Sequence, residues 1–490
     1  SDAHGGDDCD DDDALVSPRA LEACGDAVDN YCDGALAGAC RLAGDLPLSS
    51  AGATLRGTVA GAWAGAGVVA LGDMDNDGYD DFGVTAPRDA RGVGVAYLVH
   101  GPVTGDADLE TEAERVGPCD EQYLGYAVAS GGDLDADGER DWLLSAPYTN
   151  LEGDWFVEGA VLVFAEGDTS CESAIALRGT DYEYLGTSLA GGRDASGDGV
   201  DDVLVGSLHG VALDEAGTNY GVSGAVYLVH GPVMGDMTIP ADADLVVGLA
   251  AGGSQLGWDV AMVDLDGDGL ADLVWADAGE SRDLTYAGAV WVLDGATTGS
   301  VTGDDADHVI RGASDYEYLR YARDAGDADG DGRDDLLVGT SAWPSATASP
   351  TLGAAMIFHS LASAALSSDA DALLTGTEAE QGLGTAASGA GDVDGEGRDD
   401  LLVGAVYDDT GGGGYGAALL FLAPFAGTRD ADDADATFYA EAAYTSTGTA
   451  VSRAGDTNGD GFADILVGAP TDSAGGSEAG AAYLFMGGVE

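Results

Sequence analysis

Asp327-Ala328-Asp329-Gly330-Asp331-Gly332-Arg333-Asp334-Asp335-Leu336-Leu337-Val338-Gly339 is the stretch that decides the fold. Carboxylates stand at its positions 1, 3, 5 and 9, glycine at position 6, and an apolar run follows. Alternating acidic residues in a glycine-bearing turn can curl around a divalent cation, the glycine permitting the sharp bend. The pattern Asp-x-(Asp/Ser/Asn)-x-(Asp/Glu)-Gly-x-x-Asp returns seven times, starting at Asp73, Asp133, Asp194, Asp264, Asp327, Asp392 and Asp456, at intervals of 60–70 residues. One match arises easily by chance. Seven at near-constant spacing form an internal repeat.

Each unit has the same parts in order. A leucine-glycine stretch comes first, as in Tyr123-Leu124-Gly125 or Tyr184-Leu185-Gly186. The acidic loop follows, then a strand such as Leu401-Leu402-Val403-Gly404 or Ile465-Leu466-Val467-Gly468. A variable loop leads to a third strand, as in Gly224-Ala225-Val226-Tyr227-Leu228-Val229, and a fourth follows, as in Val309-Ile310-Arg311-Gly312. Short runs of valine, leucine and tyrosine between glycines are strands. Four strands per repeat predict an all-β chain folded as a seven-bladed β-propeller. The fourth-strand phrase already occurs at Thr54-Leu55-Arg56-Gly57, before the first loop, while the last unit ends at Ala481–Phe485 without one. The N-terminal strand is therefore expected to complete the last blade and leave no open ring edge. Residues 51–490 form the propeller in this reading, and residues 1–50 a separate N-terminal segment.

The acidic loop, the Leu-Val-Gly-(Ala-Pro) strand, clearest at Val84-Thr85-Ala86-Pro87, Leu144-Ser145-Ala146-Pro147 and Val467-Gly468-Ala469-Pro470, and the Gly-Ala-x-Tyr strand together resemble the FG-GAP repeat. That repeat builds the seven-bladed propeller of integrin α-subunits and of many bacterial extracellular proteins. The resemblance covers about residues 51–490 and implies calcium held between the first and second strands of a blade.

The loops themselves name the ligands. Position 1 is the starting aspartate. Position 3 is Asp75, Asp135, Ser196, Asp266, Asp329, Asp394 or Asn458, and position 5 is Asp77, Asp137, Asp198, Asp268, Asp331, Glu396 or Asp460. Position 7 offers a backbone carbonyl from Tyr79, Glu139, Val200, Leu270, Arg333, Arg398 or Phe462. Position 9 closes the set with Asp81, Asp141, Asp202, Asp272, Asp335, Asp400 or Asp464. An EF-hand would place glutamate at position 12, whereas Val84 stands there in the first loop, inside a strand. One calcium per loop is expected, about seven in all, with the Ser196 loop the weakest. Two unit charges about 4 Å apart repel by roughly 4 kcal/mol at an effective dielectric near 20. Calcium is therefore expected to be structural.

Composition narrows the partners. The 490 residues hold 17 basic and 89 acidic side chains for a net charge of −72, and no lysine. Such a chain cannot build a basic face for nucleic acid or anionic lipid. No run of about 18 apolar residues appears, so no membrane insertion is expected. The 45% hydrophobic content excludes a wholly disordered acidic chain. The acid excess also fits a high-salt adaptation.

Four of the six cysteines, Cys9, Cys24, Cys32 and Cys40, lie in the first 40 residues. Their even number in a short acidic segment reads as disulfides formed in an oxidising compartment. Cys119 and Cys171 fall on opposite faces by strand order and are not expected to pair with each other; one or both would tether the N-terminal segment. Ser1 opens directly into acidic residues, so a secreted form would be a processed chain. Asp8, Asp10, Asp12, Asp29 and Asp33 are candidate ligands for one or two further calcium ions. The stretch from Asp8-Cys9-Asp10 to Cys32-Asp33-Gly34 resembles an acidic cysteine-rich metal-binding repeat of surface proteins of myxobacteria and their relatives, which implies a secreted or outer-surface bacterial protein.

Catalytic machinery is not in evidence. His100 and His230 share the phrase Val-His-Gly-Pro-Val-x-Gly-Asp and read as blade-edge structural residues. No Gly-x-Ser-x-Gly, His-Glu-x-x-His or phosphate loop occurs. Strand alternation puts the acidic loops on one face. The other carries the variable loops, with Trp155, Phe156 and Tyr220, and the phrases Asp181-Tyr182-Glu183-Tyr184 and Asp315-Tyr316-Glu317-Tyr318. The leading expectation is an adhesion or binding module for an extracellular protein or glycan. A structural subunit that polymerises with copies of itself through residues 1–50 is the alternative, and a calcium-dependent polysaccharide enzyme the third.

Overall fold

The computed structural model describes residues 42–488 except 118, 120, 151–156, 181, 210, 214–218, 223, 249–254, 341–351, 378–380, 410–415 and 443. Seven sheets are arranged as blades, each an antiparallel meander. The fifth blade shows the plan: Tyr321–Gly326, Asp335–Thr340, Ala354–Phe358 and Ala372–Thr375, running outward in that order. Its second strand is buried at every position, as is the second strand of every other blade. A strand with both faces covered needs no polar alternation, which is why Leu-Leu-Val-Gly reads as a continuous apolar run.

The core is divided among the seams. Seven hydrophobic clusters form among the described residues, each built by two neighbouring blades. Phe438 of the sixth blade and Phe485 of the seventh meet with ring centroids 4.4 Å apart. The glycine ending Leu-Val-Gly allows this packing: a Cβ on Gly468 would lie 2.1 Å from the Gly65 carbonyl oxygen of the next unit.

The ring closes as expected. Ala53–Arg56 pairs antiparallel with Ala481–Phe485, from Ala53 opposite Leu484 to Arg56 opposite Ala481. The blades, however, are larger than the four strands expected. Six of the seven sheets carry a fifth strand, parallel to the fourth. It comes from the segment leading into the fourth strand of the next unit. Gly427–Asp430 adds to Ala372–Thr375, and Gly105–Asp108 adds to Ala53–Arg56. Gly44–Pro47, on the N-terminal side of residue 51, adds in the same way to Ala436–Tyr439 of the sixth blade. These segments are short, and Gly105–Asp108 and Gly427–Asp430 are polar with no buried position, so they lack the apolar signature of a strand. Backbone bonds to a waiting edge create them.

The exception is the first blade, whose outer strand Glu114–Val116 has no fifth partner among the described residues. The corresponding connection of the second blade, residues 165–174, makes a turn instead, with Ser173 N and Ala174 N both donating to Ser170 O at 3.2 Å. It lays Cys171 and Ala174 against the seam of the first and second blades, in which Cys119 is buried. Cys119 and Cys171 form a disulfide, their Cα atoms 5.6 Å apart. The expectation that they would not pair is thus corrected. Strand order tells where a connection begins, not how far it folds back over the blade.

The bond closes a span of 52 residues at the seam that lacks a donated strand. Cys119→Ser is expected to cost about 2–4 kcal/mol in urea denaturation. A loss well under about 1 kcal/mol would show that the apolar seam holds unaided.

Candidate metal centres

Each acidic loop is curled by its own carboxylates. In all seven, the position-1 aspartate accepts from the position-6 glycine N–H at 2.7–3.1 Å. The position-3 side chain accepts from the position-5 N–H at 2.8–3.4 Å. In six loops the position-5 aspartate accepts from the position-7 N–H at 2.8–3.0 Å. These bonds turn the remaining oxygens inward. Glycine at position 6 has φ of +87° to +96° throughout. Position 4 is left-handed as well, even where it is Asn76 or Ala136, a requirement the sequence pattern did not reveal.

Ligand atoms of positions 1, 3 and 5 come within 4.8 Å of one another in Asp73/Asp75/Asp77, Asp133/Asp135/Asp137 and Asp264/Asp266/Asp268. Asp133 Oδ1 and Asp392 Oδ1 are buried with no hydrogen-bond partner. A buried anionic oxygen without a donor is costly, and a hard cation removes that cost. The residues present therefore fit calcium.

Position 9 has a second role. Its aspartates are 0–5% exposed. In every loop its carboxylate accepts from the position-2 N–H at 2.8–3.0 Å. In four blades the other oxygen accepts from the connection that follows the third strand: Gly101 N to Asp81, Gly231 N to Asp202, Ala423 N to Asp400 and Gly487 N to Asp464. Position 9 thus staples the loop to the blade. Burial pushes Asp141, Asp272 and Asp400 up to about 7, and Asp335 and Asp464 to about 6.

Position 8 was missed. Its N–H donates to the position-1 carbonyl of the preceding loop at six joins: Asp80 to Asp456, Asp201 to Asp133, Ala271 to Asp194, Asp334 to Asp264, Asp399 to Asp327 and Ala463 to Asp392. Where position 8 is aspartate, its carboxylate also caps that loop's position-1 N–H, as Asp399 does for Asp327 at 2.8 Å. The doublets Asp80-Asp81, Asp201-Asp202, Asp334-Asp335 and Asp399-Asp400 were the available signal. Position-7 side chains complete the overlap. Tyr79, Leu270, Arg333, Arg398 and Phe462 each lie over the position-4 glycine of the preceding loop. Asp8, Asp10, Asp12, Asp29 and Asp33 lie outside the described residues, as do Trp155 and Phe156.

The opposite face is aromatic. All seven exposed tyrosines among the described residues, Tyr123, Tyr126, Tyr148, Tyr182, Tyr286, Tyr407 and Tyr444, lie on its connections. Tyr148 meets Tyr123, Tyr126 and Tyr184 edge-on, with centroids 5.4–6.1 Å apart. Trp63, Tyr123, Tyr182, Tyr184, Tyr286, Tyr316, Tyr318 and Tyr444 have φ of +49° to +69°. Bulky residues rarely adopt that region, and such strain gathers at functional sites. A cavity of about 540 Å³ opens there, lined by Trp63, Arg88, Tyr123, Tyr126, Tyr148 and Thr471 among others, and by no carboxylate. The Arg88 guanidinium lies 3.5 Å over the Trp63 ring.

Comparison with known proteins agrees with this architecture. The FG-GAP repeat model matches residues 256–293 and 447–485, and a MopE-type metal-binding motif matches residues 8–36. Integrin alpha-5 of Xenopus laevis is 28% identical over 235 residues, 45% of this chain and 20% of that protein. Human integrin alpha-IIb is 30% identical over 224 residues, 44% of this chain and 20% of that protein. Rat phosphatidylinositol-glycan-specific phospholipase D is 32% identical over 175 residues, 34% of this chain and 20% of that protein. The chain spans about a fifth of the length of these relatives. It is a seven-bladed β-propeller that carries FG-GAP repeats, similar over part of its length to integrin α-subunits and preceded by a MopE-type metal-binding motif.

Proposed function

We propose that this is a secreted or cell-surface propeller in which calcium fills the seven acidic loops as a structural ion and the tyrosine-bearing face binds an extracellular protein or glycan. The observation that carries the reading is the segregation of the two chemistries. Carboxylate loops occupy one face, while every exposed tyrosine among the described residues and a carboxylate-free cavity occupy the other. Tyrosine and tryptophan supply large contact area at low entropic cost. The disulfide supports an oxidising compartment. No helix of the described residues is long and apolar enough to cross a membrane. A binding role is favoured over an enzymatic one because the cavity on the aromatic face is lined by aromatic, proline, alanine, hydroxyl and arginine side chains, with neither histidine nor carboxylate among its lining residues. Gly44–Pro47 adds to a blade of its own ring, which favours a self-contained propeller over a subunit that polymerises through its N-terminal segment.

Chelation is the decisive test of the calcium part. A site at a hundredfold excess over Kd adds about 2.7 kcal/mol, so seven sites sum to about 19 kcal/mol. For a chain of this size that is about 10–20 °C of melting temperature. Stripped protein is expected to melt that much lower in scanning calorimetry and to recover with calcium. An unchanged midpoint removes calcium from the account.

The metal-free protein is expected to show an inverted pH profile. Five position-9 carboxylates, Asp141, Asp272, Asp335, Asp400 and Asp464, titrate at about 6–7 when folded, against about 3.9 in an unfolded chain. Between those values the native state binds more protons than the unfolded one, so stability falls as pH rises through the window. The chelated protein should therefore melt higher at pH 5.5 than at pH 8, and calcium should abolish the difference. A midpoint that rises with pH in chelator would show that these carboxylates ionise without penalty.

Ligand binding is expected to need Tyr148. Ligands that the native protein retains on a glycan array or on immobilised matrix proteins should bind Tyr148→Ala about tenfold more weakly or worse, with the melting temperature unchanged. Equal binding by the variant moves the site off this face.

A further inference from the structure

Two of the acidic loops contain a nitrogen donor. His359 follows the third strand of the fifth blade, Ala354–Phe358, and its ring returns to the loop of the same blade. Its Nδ1 lies 3.1 Å from Asp335 Oδ2 and 3.9 Å from Asp329 Oδ2. Its Nε2 lies 3.3 Å from the Phe425 carbonyl oxygen. A carbonyl only accepts, so Nε2 carries the proton in that bond, and a neutral ring then presents its Nδ1 lone pair to the loop. Nδ1 is buried and makes no hydrogen bond despite its two carboxylate neighbours. A lone pair turned toward two carboxylates is repulsive unless something positive lies between them. The first blade brings the same three residue types together, but there Nδ1 is hydrogen-bonded: His100 Nδ1 lies 3.2 Å from Asp81 Oδ2 and 3.6 Å from Asp75 Oδ2, and its Nε2 faces Glu114 Oε1 at 3.7 Å, so a cation would replace the Nδ1 proton. Ligating histidines commonly present their second nitrogen to a carbonyl or a carboxylate in this way.

The third blade is an internal contrast. His230 occupies the same phrase, but position 3 of its loop is Ser196 and its Nδ1 lies 3.9 Å from Asp244 instead. A histidine at this place in the chain does not by itself bring nitrogen and two carboxylates together. That needs aspartate at positions 3 and 9 and the ring turned inward, as in Asp329/Asp335/His359 and Asp75/Asp81/His100, whose ligand atoms all fall within 4.8 Å.

We propose that the fifth and first loops are mixed oxygen–nitrogen sites that take a first-row transition cation, such as manganese, cobalt or zinc, through His359 and His100. Calcium takes oxygen ligands, whereas imidazole suits transition ions. The two loops accept calcium as the other five do, but they bind a transition ion more tightly than the loops without an inward-turned histidine. This rests on the reading that the acidic loops bind divalent cations. The competing account of the same geometry is a protonated histidine paired with the position-9 aspartate, with no transition metal.

The test uses the full chain, stripped by chelation, with Mn²⁺ or Co²⁺ alone as probe. Pulsed electron paramagnetic resonance of the Mn²⁺-loaded protein is expected to show coupling to imidazole nitrogen at one or two sites. His359→Gln is expected to remove part of that signal and weaken the tightest Co²⁺ binding by tenfold or more in calorimetric titration. Calcium binding and the calcium-loaded melting temperature should be unchanged, and His230→Gln should change neither metal. No nitrogen coupling in native protein with Mn²⁺ bound, or equal Co²⁺ affinity in His359→Gln, overturns the proposal and leaves the protonated pair. If His359→Gln does not fold, the native resonance spectrum still decides. Failure of the wider reading looks different: the stripped protein would then take up no Ca²⁺ either.

Discussion

The ring is organised around negative charge placed at the start of every central strand. Each blade buries the position-9 aspartate almost completely and satisfies it with backbone N–H groups of its own loop and, in four blades, of the connection after the third strand. Such bonds hold a carboxylate in place, but burial still raises its titration to about 6–7 in five blades. Positions 1, 3 and 5 crowd further carboxylates against the same turn. A blade of this kind crowds like charges, and a cation that filled its loop would contribute to folding as well as to function.

That local problem becomes a global one because the loops overlap. At six joins a loop donates from position 8 to the loop before it, and at five it lays its position-7 side chain over that loop's left-handed turn. Below this ring, seven apolar seams join the blades in pairs, and donated edge strands tie six of the seven sheets to the next unit. Filling or emptying one loop therefore shifts groups that its neighbour also uses. The seam of the first and second blades lacks the donated strand, and there the covalent bond between Cys119 and Cys171 supplies a tie of another kind.

Much of this was legible in the residues, and the misses share a cause. Apolar runs between glycines marked the central strands, the phrase at Thr54–Gly57 foretold closure by the N-terminal strand, and the Asp-x-Asp spacing marked the loops. Periodicity reports burial, so it finds what the blade interior selects. Gly44–Pro47, Gly105–Asp108 and Gly427–Asp430 are strands only because an edge waits beside them, and no apolar pattern records that. Pairing of Cys119 with Cys171 depends on how a ten-residue connection folds back, and strand order is silent on it. Position 8 and the two histidines act between units or across a blade. Their partners are some 20 to 380 residues distant in sequence, so a local motif describes only half of each contact.

The two faces then follow from one architecture. Every blade sends its acidic turn to one side and its widest, most variable connections to the other. The side that carries the acidic loops is the side on which loops grip one another, and those contacts hold the blades in register. The opposite side is free to vary, yet its aromatic residues sit in left-handed backbone that costs of order 1–3 kcal/mol each. Bonds such as Tyr316 N to Thr285 O at 2.6 Å and Tyr318 N to Tyr286 O at 3.1 Å hold them there. A floppy ring would let these residues relax into ordinary conformations and scatter their rings. On the proposed reading, cations on one face supply the rigidity that keeps tyrosines presented on the other, so ligand binding and metal loading are expected to rise and fall together even though no metal touches the ligand.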